Sequence, residues 1–93
     1  MKYCTSTKWH HPVGVPDEAG FVEFIQGVLP DADVEHVFLW RIDDHHHGSL
    51  TVYPDKETYL KFRADLEQAR DNITGVGITM IDSNEGPLLG QIY

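Results

Sequence analysis

The chain is poor in cysteine, poor in positive charge and without any long apolar run. A single cysteine, Cys4, excludes an internal disulfide. Its position in an alternating segment reads as a small buried hydrophobe rather than a nucleophile, and one reduced thiol suits the cytoplasm. Lysine and arginine number 7 against 15 aspartates and glutamates, a formal charge of −8. Nucleic acids and anionic membranes need basic patches to displace counterions, so neither is expected as a partner. No apolar run approaches the about 20 residues that cross a bilayer, and residues 1–8 lack the apolar core of a signal peptide, so a cytoplasmic protein is expected. A Gly-rich phosphate loop, a Cys-x-x-Cys pair, a serine elbow and an acid-rich calcium loop are also missing, which disfavours nucleotide-dependent chemistry. Ser49 and Ser83 have no recognisable base beside them.

What is present is histidine, six residues in 93, and a sequence of hydrophobic rhythms. Protonating the histidines would cancel most of the negative charge, so self-association should depend on pH between about 5 and 7. The length fits one domain, 1–93, small enough that burying further surface in an oligomer would stabilise it.

Residues 2–9 alternate as a strand, with Tyr3, Thr5, Thr7 and Trp9 on one face. Pro12, Gly14 and Pro16 then impose a loop. Asp17 is the expected N-cap of a helix whose stripe is Phe21, Phe24, Ile25, Val28 and Leu29, stopped by Pro30. Residues 34–43 form a second strand, with His36, Phe38, Trp40 and Ile42 on one side and Glu35, Val37, Leu39 and Arg41 on the other. A polar connection over 44–48, with Gly48 free to take positive φ, leads to a third strand over 49–53. Asp55 caps a second helix with the stripe Tyr59, Phe62, Leu66 and Ala69. Residues 73–81 read as the last strand, its Gly75 and Gly77 on one face suggesting a bulge, followed by a polar connection. Within 82–93, the apolar end Leu88, Leu89, Ile92 and Tyr93 is expected to pack on its own subunit or on a partner.

The order β-α-β-β-α-β is the split βαβ pattern of an α+β, ferredoxin-like sandwich, in which a four-stranded antiparallel sheet carries two helices on one face. The strand over 34–43 is apolar on both sides, so the second face of the sheet also needs a cover.

The run Glu35-His36-Val37-Phe38-Leu39-Trp40-Arg41-Ile42 and the strand-to-helix passage from Leu50 to Phe62 resemble the dimeric α+β barrel superfamily, which includes antibiotic biosynthesis monooxygenase-like domains. The resemblance is one of length and element order. It implies a homodimer whose sheets face each other, with a pocket between each sheet and its own helices. Members include cofactor-free monooxygenases, isomerases and haem-degrading enzymes, so the fold does not choose among them. The haem-degrading members use a first-strand Asn and a helical His; this chain has neither in the corresponding segments, and that activity is not carried over.

Two constellations could carry chemistry. His36 beside Phe38 and Trp40, with Trp9 and Tyr53 as neighbours, suits a pocket for a flat apolar or aromatic molecule, with His36 as acid or base. Arg41, on the other face, is expected in an ion pair at the dimer interface. The topology also brings His10 and His11 toward the 43–47 hairpin. There His10, His45 and His47 could ligate a transition metal, against the plainer reading of a solvated histidine-rich rim. The expected function is therefore binding of a small apolar or aromatic molecule, with cofactor-independent monooxygenase or isomerase activity. The alternative is a non-catalytic dimeric module whose histidine rim binds metal or senses pH.

Overall fold

The computed structural model describes residues 1–28 and 33–93. Its elements are β1 (Tyr3–His10), α1 (Glu18–Val28), β2 (His36–Asp43), β3 (His46–Tyr53), α2 (Lys56–Thr74) and β4 (Thr79–Pro87). The strands make one sheet in the order β2-β3-β1-β4, with every neighbouring pair antiparallel. The α+β architecture with a four-stranded antiparallel sheet and two helices is thus observed, and its order is compatible with a ferredoxin-like arrangement. Among the described residues no helix is long and apolar enough to cross a membrane.

β1 alternates strictly: Tyr3, Thr5, Thr7 and Trp9 are buried beneath the helices, while Cys4, Ser6, Lys8 and His10 turn to the other face. Register carries this parity across the sheet, because Tyr3, Thr5, Thr7 and Trp9 stand opposite Tyr53, Thr51, Ser49 and His47 of β3. One core cluster joins Trp9 to Phe21 and Ile25 of α1 and Ile73 of α2; a second joins Tyr3 and Tyr53 to Tyr59. Both caps form where expected. Asp17 Oδ1 accepts from the Gly20 amide at 2.8 Å, and Asp55 Oδ1 accepts from the Thr58 amide at 2.7 Å. Leu29 and the stop at Pro30 fall outside the described residues, as does the Val28 side chain.

Three expectations are corrected. Residues 73–74 belong to α2, because Ile73 continues the stripe Tyr59, Phe62, Leu66, Ala69 at helical spacing and enters the core. Gly75 caps that helix, its amide donating to Asp71 O at 2.9 Å, and only Gly77, at φ +92°, needs glycine conformationally. The last strand is instead Thr79–Pro87, in a stretch whose polar residues suggested a connection. It is an edge strand, and edges accept Asp82, Asn84, Gly86 and Pro87 because one side of the backbone needs no partner. Beyond it the Leu88 amide donates to Lys2 O at 2.8 Å, while Leu89, Ile92 and Tyr93 are exposed rather than packed on their own subunit.

The third correction concerns the hairpin. β3 begins at His46, so the turn is only Asp44-His45, and Gly48 lies within the strand directly opposite Trp40. The six-membered ring of Trp40 lies over Gly48 where a side chain would stand, so the position requires glycine for space rather than for positive φ. We expect Gly48→Ala to lower stability by about 1–2 kcal/mol through overpacking. Urea unfolding checks this, and the Gly48→Ala, Trp40→Ala double variant should lose less than the two single losses added together.

Candidate functional site

The site grows from the way the loop after β1 is tied to the hairpin. The His11 amide donates to His45 O at 2.7 Å, and the Val15 amide donates to Asp44 O at 2.7 Å. Arg41 adds a third tie, its guanidinium donating to Val15 O at 3.3 Å and Pro16 O at 2.9 Å. Within the chain its partners are these two backbone carbonyls. Gly14, at φ +94°, makes the turn that lets the loop double back, its amide donating to His11 O at 3.2 Å.

This strapping carries the His11 side chain under α1, where Nε2 lies 2.6 Å from Nδ1 of His47. Both imidazoles are buried, 2% and 3% exposed. They meet nearly edge to face at 4.8 Å, with the Phe21 ring 5.3 Å from His11 and 4.6 Å from His47. Trp9 lies parallel to His47 at 6.2 Å. Burial holds the His47 pKa down to about 4, with His11 adding to the effect. Burial likewise lowers that of His11, helped by His10, His46 and Arg41. At neutral pH the pair is uncharged, so one ring donates the hydrogen bond and the other accepts it.

His47 lines a cavity of about 740 Å³ between α1 and β2, walled by Phe21, Val22, Ile25, Val37 and Leu39, with the charged Arg41 and Glu18 also in its lining. A smaller space of about 60 Å³ adjoins it and shares His47, Ile25, Val37 and Leu39. Its floor is a row of hydroxyls, Thr5, Thr7, Ser49 and Thr51. Trp9 Nε1 donates to Thr7 Oγ1 at 2.8 Å, and Thr7 in turn bonds Ser49. An apolar chamber of several hundred Å³ with a few converging polar groups is the usual form of a small-molecule site.

No protein-family model and no curated protein matches this chain.

The structure divides the residues singled out in the sequence. His36, Phe38 and Trp40 lie on the uncovered face, His36 stacked on Phe38 at 5.6 Å, although Trp40 also borders the cavity. Trp9 and Tyr53 lie on the helix-covered face, so neither neighbours His36. His10 sits on the open face with its ring 5.1 Å from His46, whose Nδ1 meets Asp43 Oδ1 at 2.7 Å. His45 occupies the turn, its Nδ1 bonded to His11 O at 2.9 Å. The rings of His10 and His45 stack at 6.2 Å while His47 is buried under α1, and among the described residues no three His, Cys, Asp or Glu side chains are disposed to hold a metal ion. As site residues Phe21, Thr7 and Ser49 were passed over in the sequence, and His11 was brought to the hairpin without a role of its own. A two-residue turn at Asp44-His45 would have exposed the pairing, because it sets His47 opposite Trp9 on the buried face.

The buried pair couples stability to pH. Folded His47 titrates near about 4 and its unfolded counterpart near about 6.5, so between these values the unfolded chain binds more protons. The stabilisation is fully present above about pH 6.5 and is lost as pH falls toward about 4, by about 3 kcal/mol for this residue. His11 acts in the same direction. Urea midpoints at pH 7 and pH 4.5 should therefore separate more for the wild-type chain than for His47→Phe.

Proposed function

We propose that the chain is a homodimeric α+β barrel protein that takes a small, largely apolar or aromatic molecule into the cavity under α1. Its chemistry there is of the cofactor-independent monooxygenase or isomerase type found in the superfamily it resembles. The observation that carries the reading is the cavity of about 740 Å³ with His47, one of two hydrogen-bonded buried imidazoles, in its wall. Perturbed titratable groups in a cleft are a physical mark of a functional site. His47, rather than the exposed His36, is the histidine in contact with this space.

Dimerisation is supported by the uncovered face of the sheet. There Phe38, Trp40 and Ile42 are 53%, 47% and 43% exposed in a row along β2, with Leu50 and Cys4 beside them on β3 and β1. A contiguous apolar strip of this kind on a chain of 93 residues is typical of a surface that is covered in solution. A second copy would bring an identical strip against it by two-fold symmetry.

Two measurements test these claims. The neutral fluorophore 1-aminoanthracene should brighten on binding and raise the melting temperature, because it stabilises only the folded chain. Val37→Trp, which fills the cavity from an edge strand, should remove both effects while the circular dichroism stays unchanged. No brightening with the wild-type chain would end the pocket reading. In sedimentation velocity the wild-type protein should run as a dimer and Phe38→Asp as a monomer; a wild-type monomer would end the barrel.

A further inference from the structure

The paired imidazoles carry a more specific statement about the guest, one that rests on the cavity being the binding site. His47 Nδ1 is taken by His11, which leaves Nε2 as the ring nitrogen available to a molecule in the cavity. Among the described residues no fully buried side-chain nitrogen or oxygen lacks a partner, and Nε2 of His47 has none among them, which leaves that atom open to the cavity. Phe21 and Trp9 enclose the rings in apolar surface, where an imidazolium would be poorly solvated. An anionic guest would gain no charged partner from these two rings.

The hydrogen bond within the pair can be written in two directions. When His11 Nε2–H donates to His47 Nδ1, His47 carries its proton on Nε2 and offers a donor to the cavity. When His47 Nδ1–H donates to His11 Nε2, the cavity meets a bare Nε2, an acceptor. Neither form is charged; in the second His11 carries its own proton on Nδ1, so passing from the first to the second gives one proton from His47 Nε2 to water and takes one from water at His11 Nδ1. Beyond them, the hydroxyls of Thr7 and Ser49 can likewise rotate to donate or accept.

We infer that the cavity selects an uncharged, largely apolar molecule bearing one hydroxyl or carbonyl oxygen, and that the His11–His47 pair receives either group through His47 Nε2 by reversing its internal hydrogen bond. A pocket of this kind treats the enol and keto forms of one compound alike. Arg41 and Glu18 in the lining carry opposite charges, the Arg41 guanidinium already donates to the Val15 and Pro16 carbonyls, and the chain as a whole carries −8, so the long-range field also works against an anion.

The test is displacement of 1-aminoanthracene from the wild-type protein at pH 7 by naphthalene, 2-naphthol, 2-acetonaphthone and 2-naphthoate. 2-Naphthol and 2-acetonaphthone should each bind about three- to tenfold more tightly than naphthalene, the range of one net hydrogen bond, and 2-naphthoate more weakly than naphthalene. In His47→Phe the advantage of both oxygen-bearing compounds should vanish while naphthalene still binds. Should that variant fail to fold, ring-nitrogen NMR of the wild-type protein gives the same answer. His47 Nε2 should turn pyridine-like with 2-naphthol and pyrrole-like with 2-acetonaphthone. Tighter binding of 2-naphthoate, preference for only one of the two neutral oxygen compounds, or an unmoved Nε2 resonance would overturn the inference and leave the pocket standing. Failure of every naphthalene compound and of 1-aminoanthracene to bind would remove both.

Discussion

The structure depends on the strap between the loop after β1 and the β2–β3 hairpin. Two backbone hydrogen bonds, His11 to His45 and Val15 to Asp44, and the Arg41 fork onto Val15 and Pro16 hold the loop in one place. These partners are distant in sequence, so each bond removes considerable freedom from a loop that contains two prolines and a glycine. The strap fixes where α1 begins and therefore how far it stands from β2. The cavity is the space that this stand-off leaves.

A buried polar pair is costly unless it is hydrogen-bonded, and here register places His47 while the strap places His11 to meet it. Trp9 and His47 are direct cross-strand partners, and Thr7 and Ser49 are the next pair along the same face. Indole, hydroxyls and imidazoles therefore follow one another along two adjacent central strands. Two adjacent strands of the sheet thus define both a core and a polar line through it. The apolar character of both faces of β2 has a matching explanation. Val37 and Leu39 face the cavity, and Phe38, Trp40 and Ile42 face outward.

Much of this was legible in the residues. The alternation of β1, the caps at Asp17 and Asp55 and the stripe on α2 each follow from local chemistry, and each is found where it was expected. What was not legible depended on pairing. The run Asp82–Pro87 has the composition of a connection and becomes a strand because β1 offers an unsatisfied ladder beside it. The histidines share one end of the sheet, as the topology required, but a hairpin turn of two residues rather than five divides them. His47 goes inward with His11, and His10 and His46 go outward. A shift of one residue would have exchanged those roles.

The two borders of the sheet are chemically unlike. β4 presents Asp82 and Glu85 and ends in Pro87, a strand that repels a copy of itself and lacks a donor at its close. β2, at the opposite border, carries hydrophobic side chains on both faces. Joining of like borders is therefore left to β2, and a pair of sheets joined there by two-fold symmetry would turn its acidic β4 borders outward.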